Sequence, residues 1–158
     1  MDTRIRAATP RDVPALAGLA KRTWSDAFGD GVSPGDVAAE LEETRSEAYF
    51  VHALAEKTIL VAEHNGALVG YVQFGDAEIQ RVYVETELQG RGLGRKLMEA
   101  ALEHPRLSRA KRVSLQVWEQ NERALRLYES FGFERAGTTT FAVGSAVMED
   151  LVMVLDRD

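Results

Sequence analysis

Val82-Tyr83-Val84-Glu85-Thr86-Glu87-Leu88-Gln89-Gly90-Arg91-Gly92-Leu93-Gly94-Arg95-Lys96-Leu97-Met98 is the stretch that decides the fold. Val82 to Val84 reads as a strand that runs into a glycine-rich turn. Leu97, Met98, Ala101 and Leu102 then mark one face of a helix. Glycines at alternate positions let a ligand approach the backbone, because no Cβ stands in the way. A helix N-terminus offers unpaired N–H groups and a partial positive charge, which suit phosphate. Arg91, Arg95 and Lys96 add full charges. The stretch is therefore a strand, a pyrophosphate cradle and a helix.

Two common cradles are excluded. The dinucleotide fingerprint G-x-G-x-x-G, started at Gly90, would need a third glycine where Arg95 stands, and no Lys-Ser/Thr completes a P-loop. Gln89, Gly92 and Gly94 instead fit Q-x-x-G-x-G. A second motif follows in order. Arg112 to Val117 alternates as a strand, and Asn121, Ala124, Tyr128, Gly132 and Phe133 fall in one register behind Trp118-Glu119-Gln120. Together the two motifs resemble the GCN5-related N-acetyltransferase (GNAT) family.

The element pattern reads β-α-α-β-β-β-α-β-α-β-β. Arg4–Ala8 is a first strand, and Thr9-Pro10-Arg11-Asp12 is a helix start. A helix runs on toward Trp24 and is broken by Gly29-Asp30-Gly31, and a second covers about residues 34–45. Thr58–Glu63 and Leu68–Phe74 form a hairpin across Asn65-Gly66. Glu78–Val84 enters the glycine loop, and Glu134–Phe141 and Glu149–Leu155 close the chain around Gly144-Ser145. This predicts an α/β (α+β) protein with a mixed sheet and helices on both faces. The resemblance implies the GNAT fold, with a mostly antiparallel sheet, splayed central strands and one N-acetyltransferase domain over residues 1–158.

Composition narrows the chemistry. Hydrophobic residues make up 45% and charged residues 28% of 158, as in an ordinary globular domain. Cysteine is absent, which excludes disulfides, Cys-ligated zinc and a cysteine acyl-enzyme. His52, His64 and His104 lack metal-ligand spacing, so no metal is expected. The net charge of −6 with dispersed basic residues argues against nucleic acid. No apolar run reaches a membrane span and no leader pattern precedes the first strand, so a cytoplasmic protein is expected. Oligomeric state is left open, with a homodimer allowed.

The resemblance implies acetyl-CoA as cosubstrate and direct transfer to a primary amine. Gln89, Gly90, Arg91, Gly92, Leu93, Gly94 and Arg95 would hold the pyrophosphate. Main-chain groups of Val82 and Val84 would pair with pantetheine, and the Val82 N–H would face the thioester oxygen as it turns negative. Tyr128, two turns along from Asn121, is the candidate general acid and lies against the cofactor; its alternative is a packing tyrosine. Asn121 is either a CoA contact or only a helix N-cap. Glu78 is the candidate base, placed by period-two counting on the face of Val82 and Val84; the alternative is a solvated glutamate, and Glu119 is the second choice. Trp24, Phe28, Trp118 and Glu119 would line the acceptor side, near Asp26, Asp30, Asp36, Glu40 and Glu43. Aromatic rings and carboxylates there would suit a cationic amine. Trp24 to Phe28, Trp118 to Asn121 and the tail Thr140–Leu151 look like the bacterial polyamine acetyltransferase subgroup, from which Ala142 and Val143 depart. Acetylation of protein N-termini, lysines or another small amine, and an acyl-CoA-binding regulatory module without catalysis, are the alternatives.

Overall fold

The computed structural model of the protein describes residues 3–28 and 32–157, without the side chains of 25–28. Among these residues seven strands form one sheet in the order β1-β2-β3-β4-β5-β7-β6. They are β1 (Thr3–Ala7), β2 (Thr58–His64), β3 (Ala67–Gly75), β4 (Glu78–Val84), β5 (Arg112–Trp118), β6 (Glu134–Val143) and β7 (Ala146–Asp156). Every neighbouring pair is antiparallel except β4–β5. Among the described residues six helices accompany them: α1 (Val13–Phe28), α2 (Pro34–Thr44), α3 (Glu47–Glu56), α4 (Leu93–Glu103), α5 (Pro105–Ser108) and α6 (Glu122–Ser130).

Alternation along β2 explains the layers. Ile59 and Val61 face one side, where they pack with Tyr71 against Leu16, Leu19 and Ala20 of α1 and Phe50 and Ala53 of α3. Leu60 and Ala62 face the other, where they meet Val72, Phe74 and the Leu97–Met98–Ala101 stripe of α4. Leu16, Leu97 and Met98 are fully buried. Each such side chain contributes roughly 1.5–3 kcal/mol by leaving water.

Local signals set the ends. Asn65 and Gly66 both take positive φ, 52° and 83°, as a tight hairpin requires. The Thr9 N–H donates to Asp12 Oδ2 at 2.8 Å, and a 3-10 turn over Pro10–Asp12 leads into α1. Two helices add to the expected order. Ser46 caps α3 by accepting from the Tyr49 N–H at 3.1 Å, and α5 is a single turn behind His104.

Candidate active site

A fork in the sheet makes the site. β4 and β5 are in register only at Glu78↔Ser114 and Ile79↔Leu115, with the Ser114 N–H donating to the Ala77 carbonyl at 3.0 Å. Past Ile79 the strands part, as the fold class predicted. A cavity of about 770 Å³ opens there and runs from the glycine loop to α1 and α2. That volume suits a small-molecule site. Val82 and Val84 turn their side chains into the core with α4, and their stretch of β4 backbone has no strand partner toward β5.

The loop end is built to hold an anion. Gln89 Nε2 donates to the Val84 carbonyl at 3.2 Å and pins the loop to the strand. Gly92 caps α4 at φ 84°, a left-handed conformation that would cost an L side chain roughly 1–2 kcal/mol. The first helical bond runs from the Lys96 N–H to the Gly92 carbonyl at 3.1 Å. The N–H groups of Leu93, Gly94 and Arg95 thus lie in the first turn, where no helical acceptor serves them. Gly94 has a packing reason as well: a Cβ there would stand 3.2 Å from Leu127 Cδ2 of α6. Arg95 lies 4.9 Å over the Phe131 ring and donates to Ser130 Oγ at 2.7 Å. Arg123, beside Gly90, and Arg126 also line the cavity. Leu93 is buried core, and Arg91 is exposed and stands outside the cavity wall.

Tyr128 is fixed by the way α6 ends. The Phe133 N–H donates to the Tyr128 carbonyl at 3.2 Å, and the Gly132 N–H donates to the Glu129 carbonyl at 3.0 Å. Gly132 sits at φ 98°. This pattern of bonds is the Schellman cap, whose companion is an apolar contact between the residue after the glycine and the third-last helical residue. Here that contact is Phe133 against Tyr128, edge to face at 6.2 Å. The Tyr-x-x-x-Gly-Phe spacing is therefore a device that clamps one tyrosine. Tyr128 is buried yet lines the cavity. Burial first, and Tyr83 second, push its phenol above the usual tyrosine range. Asn121 caps α6, its Oδ1 accepting from the Ala124 N–H at 3.2 Å, and it too lines the cavity.

The cavity wall also carries Trp24, Arg45, Arg81, Trp118, Phe141 and Asp150. Asp150 lies opposite Trp118 in the β5–β7 register, and burial pushes its carboxyl above the usual range. Arg45 is buried between rings, 5.4 Å over Trp24 and 5.9 Å over Tyr83. Arg81 lies 4.4 Å over Tyr49. Phe28 falls among the side chains outside the described residues.

Glu78 and Glu119 are not in the cavity wall. The face count for Glu78 fails at a bulge. Gln73 pairs with Arg81 and Phe74 with Ile79, so Gln80 is an extra residue in β4. The bulge puts Ile79, Val82 and Val84 on the α4 face and turns Glu78 to the other. There it accepts from Gln80 Nε2 at 3.4 Å, and Gln73 Nε2 links Gln80 to the Tyr49 hydroxyl. Glu119 is exposed in the turn after β5. Arg45, Arg81, Arg123, Arg126 and Asp150 were not singled out from sequence. Arg123 and Arg126 could have been, since they sit within the Asn121–Tyr128 motif itself.

The arrangement fits CoA. The loop has free N–H groups and guanidinium charge for phosphates, and the fork leaves backbone for an amide-bearing arm. Among the described residues no group of His, Asp or Glu could hold a metal. Comparison with known proteins identifies the family. The Acetyltransferase (GNAT) family matches residues 20–133. An uncharacterized N-acetyltransferase of Mycobacterium tuberculosis is 34% identical over 150 residues, 90% of this chain and 96% of its own length. The spermine/spermidine N(1)-acetyltransferase of Bacillus subtilis is 31% identical over 101 residues, 56% of this chain and 66% of its own. The PaiA N-acetyltransferase of Thermoplasma acidophilum, solved with coenzyme A, shares the fold at TM-score 0.83 and 20% identity over 99% of each chain. This chain belongs to the GNAT acetyltransferase family, and it is an acetyl-CoA-dependent N-acetyltransferase.

Proposed function

We propose that residues 1–158 act as one cytoplasmic domain that transfers acetyl from acetyl-CoA directly to a small primary amine. The observation that carries this is the fork: an anion cradle, an unpaired strand edge and a clamped tyrosine meet in one cavity. The Leu93–Arg95 N–H groups, with Arg95, Arg123 and Arg126, hold the pyrophosphate. The β4 edge at Val82 and Val84 aligns the pantetheine arm, and the Val82 N–H faces the developing oxyanion. The amine nitrogen bonds to the carbonyl carbon as the carbon–sulfur bond breaks. Tyr128 gives its proton to the leaving thiolate. The high phenol pKa keeps that proton in place until the thiolate forms.

Asp150 is the base in this reading. It lines the cavity where Glu78 and Glu119 do not, and its raised pKa makes it a stronger proton acceptor than an ordinary carboxylate. It takes the amine's proton directly or through one water. A polyamine acceptor is the second reading, favoured by the half-buried Glu40 and Asp150 in the cavity wall and by the Bacillus subtilis relative.

The test is acetyl-CoA titration by calorimetry, followed by amine-dependent thiol release. Gly92→Asp sets a carboxylate against the pyrophosphate, and a folded variant should lose acetyl-CoA binding. Unchanged affinity in that variant, or no amine-dependent thiol release from wild type, would overturn the reading.

A further inference from the structure

Arg45 and Arg81 stand in the acceptor half of the cavity with no carboxylate within 4.0 Å among the described residues. Guanidinium groups remain charged in proteins, and an uncompensated one taken from water is costly. Arg45 is 7% exposed. It donates to the Thr44 hydroxyl and, at 3.3 Å, to the Tyr83 hydroxyl, while its Nε is buried without a partner. Arg81 is half-buried. The Tyr71 hydroxyl stands beside it and shares a polar contact with its guanidinium that falls short of full hydrogen-bond geometry. Tyrosine faces receive part of both charges, but a ring does not fill guanidinium donors.

Four unpartnered polar atoms lie buried among the described residues: Arg45 Nε, Tyr71 Oη, Gln73 Oε1 and Arg81 Nη1. Tyr71, Gln73 and Arg81 face one another across the β3–β4 register, which pairs Tyr71 with Tyr83 and Gln73 with Arg81. Of these residues Arg45 and Arg81 line the cavity, whereas Tyr71 and Gln73 lie outside its wall.

We infer that the acceptor carries a carboxylate, held by Arg45 and Arg81, so that the substrate is a small amino carboxylate rather than a polyamine. This rests on the N-acetyltransferase reading above and names its substrate class. A carboxylate matches the fork of guanidinium donors and supplies a countercharge that no described residue brings within 4.0 Å of either arginine. Arg81 is next in sequence to Val82, where the thioester is placed, so the carboxylate sits close to the reacting amine. An α- or β-amino acid has that short separation. Asp150, across the fork, is left for the amine. A second ammonium of a polyamine would instead meet two arginines and be repelled.

The experiment is thiol release from acetyl-CoA with matched acceptors: free amino acids spanning the side-chain classes, each against its own carboxamide, with spermidine and a short acidic peptide alongside. At least one amino acid should exceed its carboxamide by about 10²-fold in kcat/KM, because a site built for a polar group rejects an analogue lacking it. Arg81→Gln and Arg45→Gln should each shrink that ratio at least tenfold while acetyl-CoA affinity holds. Since the pair is sheltered, the ratio should change little with added salt. Amine-dependent release with every ratio within about threefold, or with spermidine or the peptide above all amino acids, overturns the inference and leaves the acetyltransferase reading standing. If no amine gives thiol release, calorimetry of N-acetyl amino acids against their carboxamides on the CoA-loaded protein decides it. Tighter binding of the carboxylate supports the inference, and equal or absent binding refutes it.

Discussion

Replacing Tyr128 with phenylalanine removes one hydroxyl and little else. The ring keeps its edge-to-face contact with Phe133, and the backbone bonds of the helix cap do not involve the side chain. Loss of the hydroxyl should change stability by less than about 1.5 kcal/mol. For a chain of this size that is a shift of a few degrees in Tm. The effect on rate should be far larger. If the phenol protonates the leaving thiolate, its loss should lower kcat by about 10²-fold, equivalent to ~2.7 kcal/mol of barrier. Acetyl-CoA affinity should hold, because the phosphate contacts lie on the glycine loop. The pH dependence is a second check. Burial holds the phenol above its ordinary range, so wild type should show no alkaline loss of rate from Tyr128 below about pH 10. Steady-state thiol release between pH 6 and 10, with calorimetry for acetyl-CoA, measures all of this. A folded variant within twofold of wild type would return Tyr128 to a packing role. An alkaline limb below pH 9 that vanishes in the variant would refute the account of its burial.

Three further outcomes can be measured. Arg6 donates to both oxygens of Asp12, at 2.8 and 2.9 Å, and this contact is the main reason the carboxyl falls to about 2. The folded pKa lies below the unfolded one, so the stabilisation is present above about pH 4 and is lost as pH falls toward 2. Asp12→Asn should therefore cost about 2 kcal/mol in urea unfolding at pH 7 and almost nothing near pH 2; an equal loss at both would refute the ionic account. Gly94→Val would drive branched carbon into Leu127 and part α4 from α6, costing about 1–3 kcal/mol and weakening acetyl-CoA binding roughly tenfold. Ala77 holds φ 66° in the turn before β4, so Ala77→Gly should stabilise the protein by up to about 1 kcal/mol in denaturant unfolding, the relief of strain exceeding the added chain entropy.

Much of the fold was legible because its signals are local. Asn65-Gly66 dictates a hairpin, Thr9-Pro10 a helix start, and the alternation in Thr58–Glu63 a strand with two apolar faces. α3 was not read, although Ser46 followed by Phe50 and Ala53 carries a cap and a helical face. Two residues separate it from α2, and at ten residues it is too short for its face to stand out beside the helix expected over about 34–45. The glycine loop and the Asn121–Tyr128 register could be read for the same reason as the hairpins: each is a compact run whose spacing has one geometry. Glu78 could not be placed by counting, because a bulge at Gln80 reverses the face and is set by pairing with β3 rather than by β4 alone. Asp150 was hidden differently. It reaches the cavity only through the β5–β7 register, a contact between strands far apart in sequence.

Charge gives the same lesson at a larger scale. The chain carries a net −6, and the acids on α2 read as a cationic-amine site. In the fold those acids separate. The Asp36 carboxylate packs on the Gly144 turn, Glu43 is exposed, and Glu40 alone of the three joins the cavity wall. Among the described residues five arginines, Arg45, Arg81, Arg95, Arg123 and Arg126, join it against the two carboxylates of Glu40 and Asp150. Among these residues the cavity wall therefore holds more guanidinium groups than carboxylates, opposite to the balance of the whole chain. The arginines also divide by burial. Arg95, Arg123 and Arg126 are exposed at the loop end, where phosphates remain partly in water; Arg45 and Arg81 are sheltered. An exposed cation can be left to solvent when its ligand departs. A sheltered one cannot, and for that reason the two sheltered arginines carry more information about the acceptor than any count of acids along the sequence.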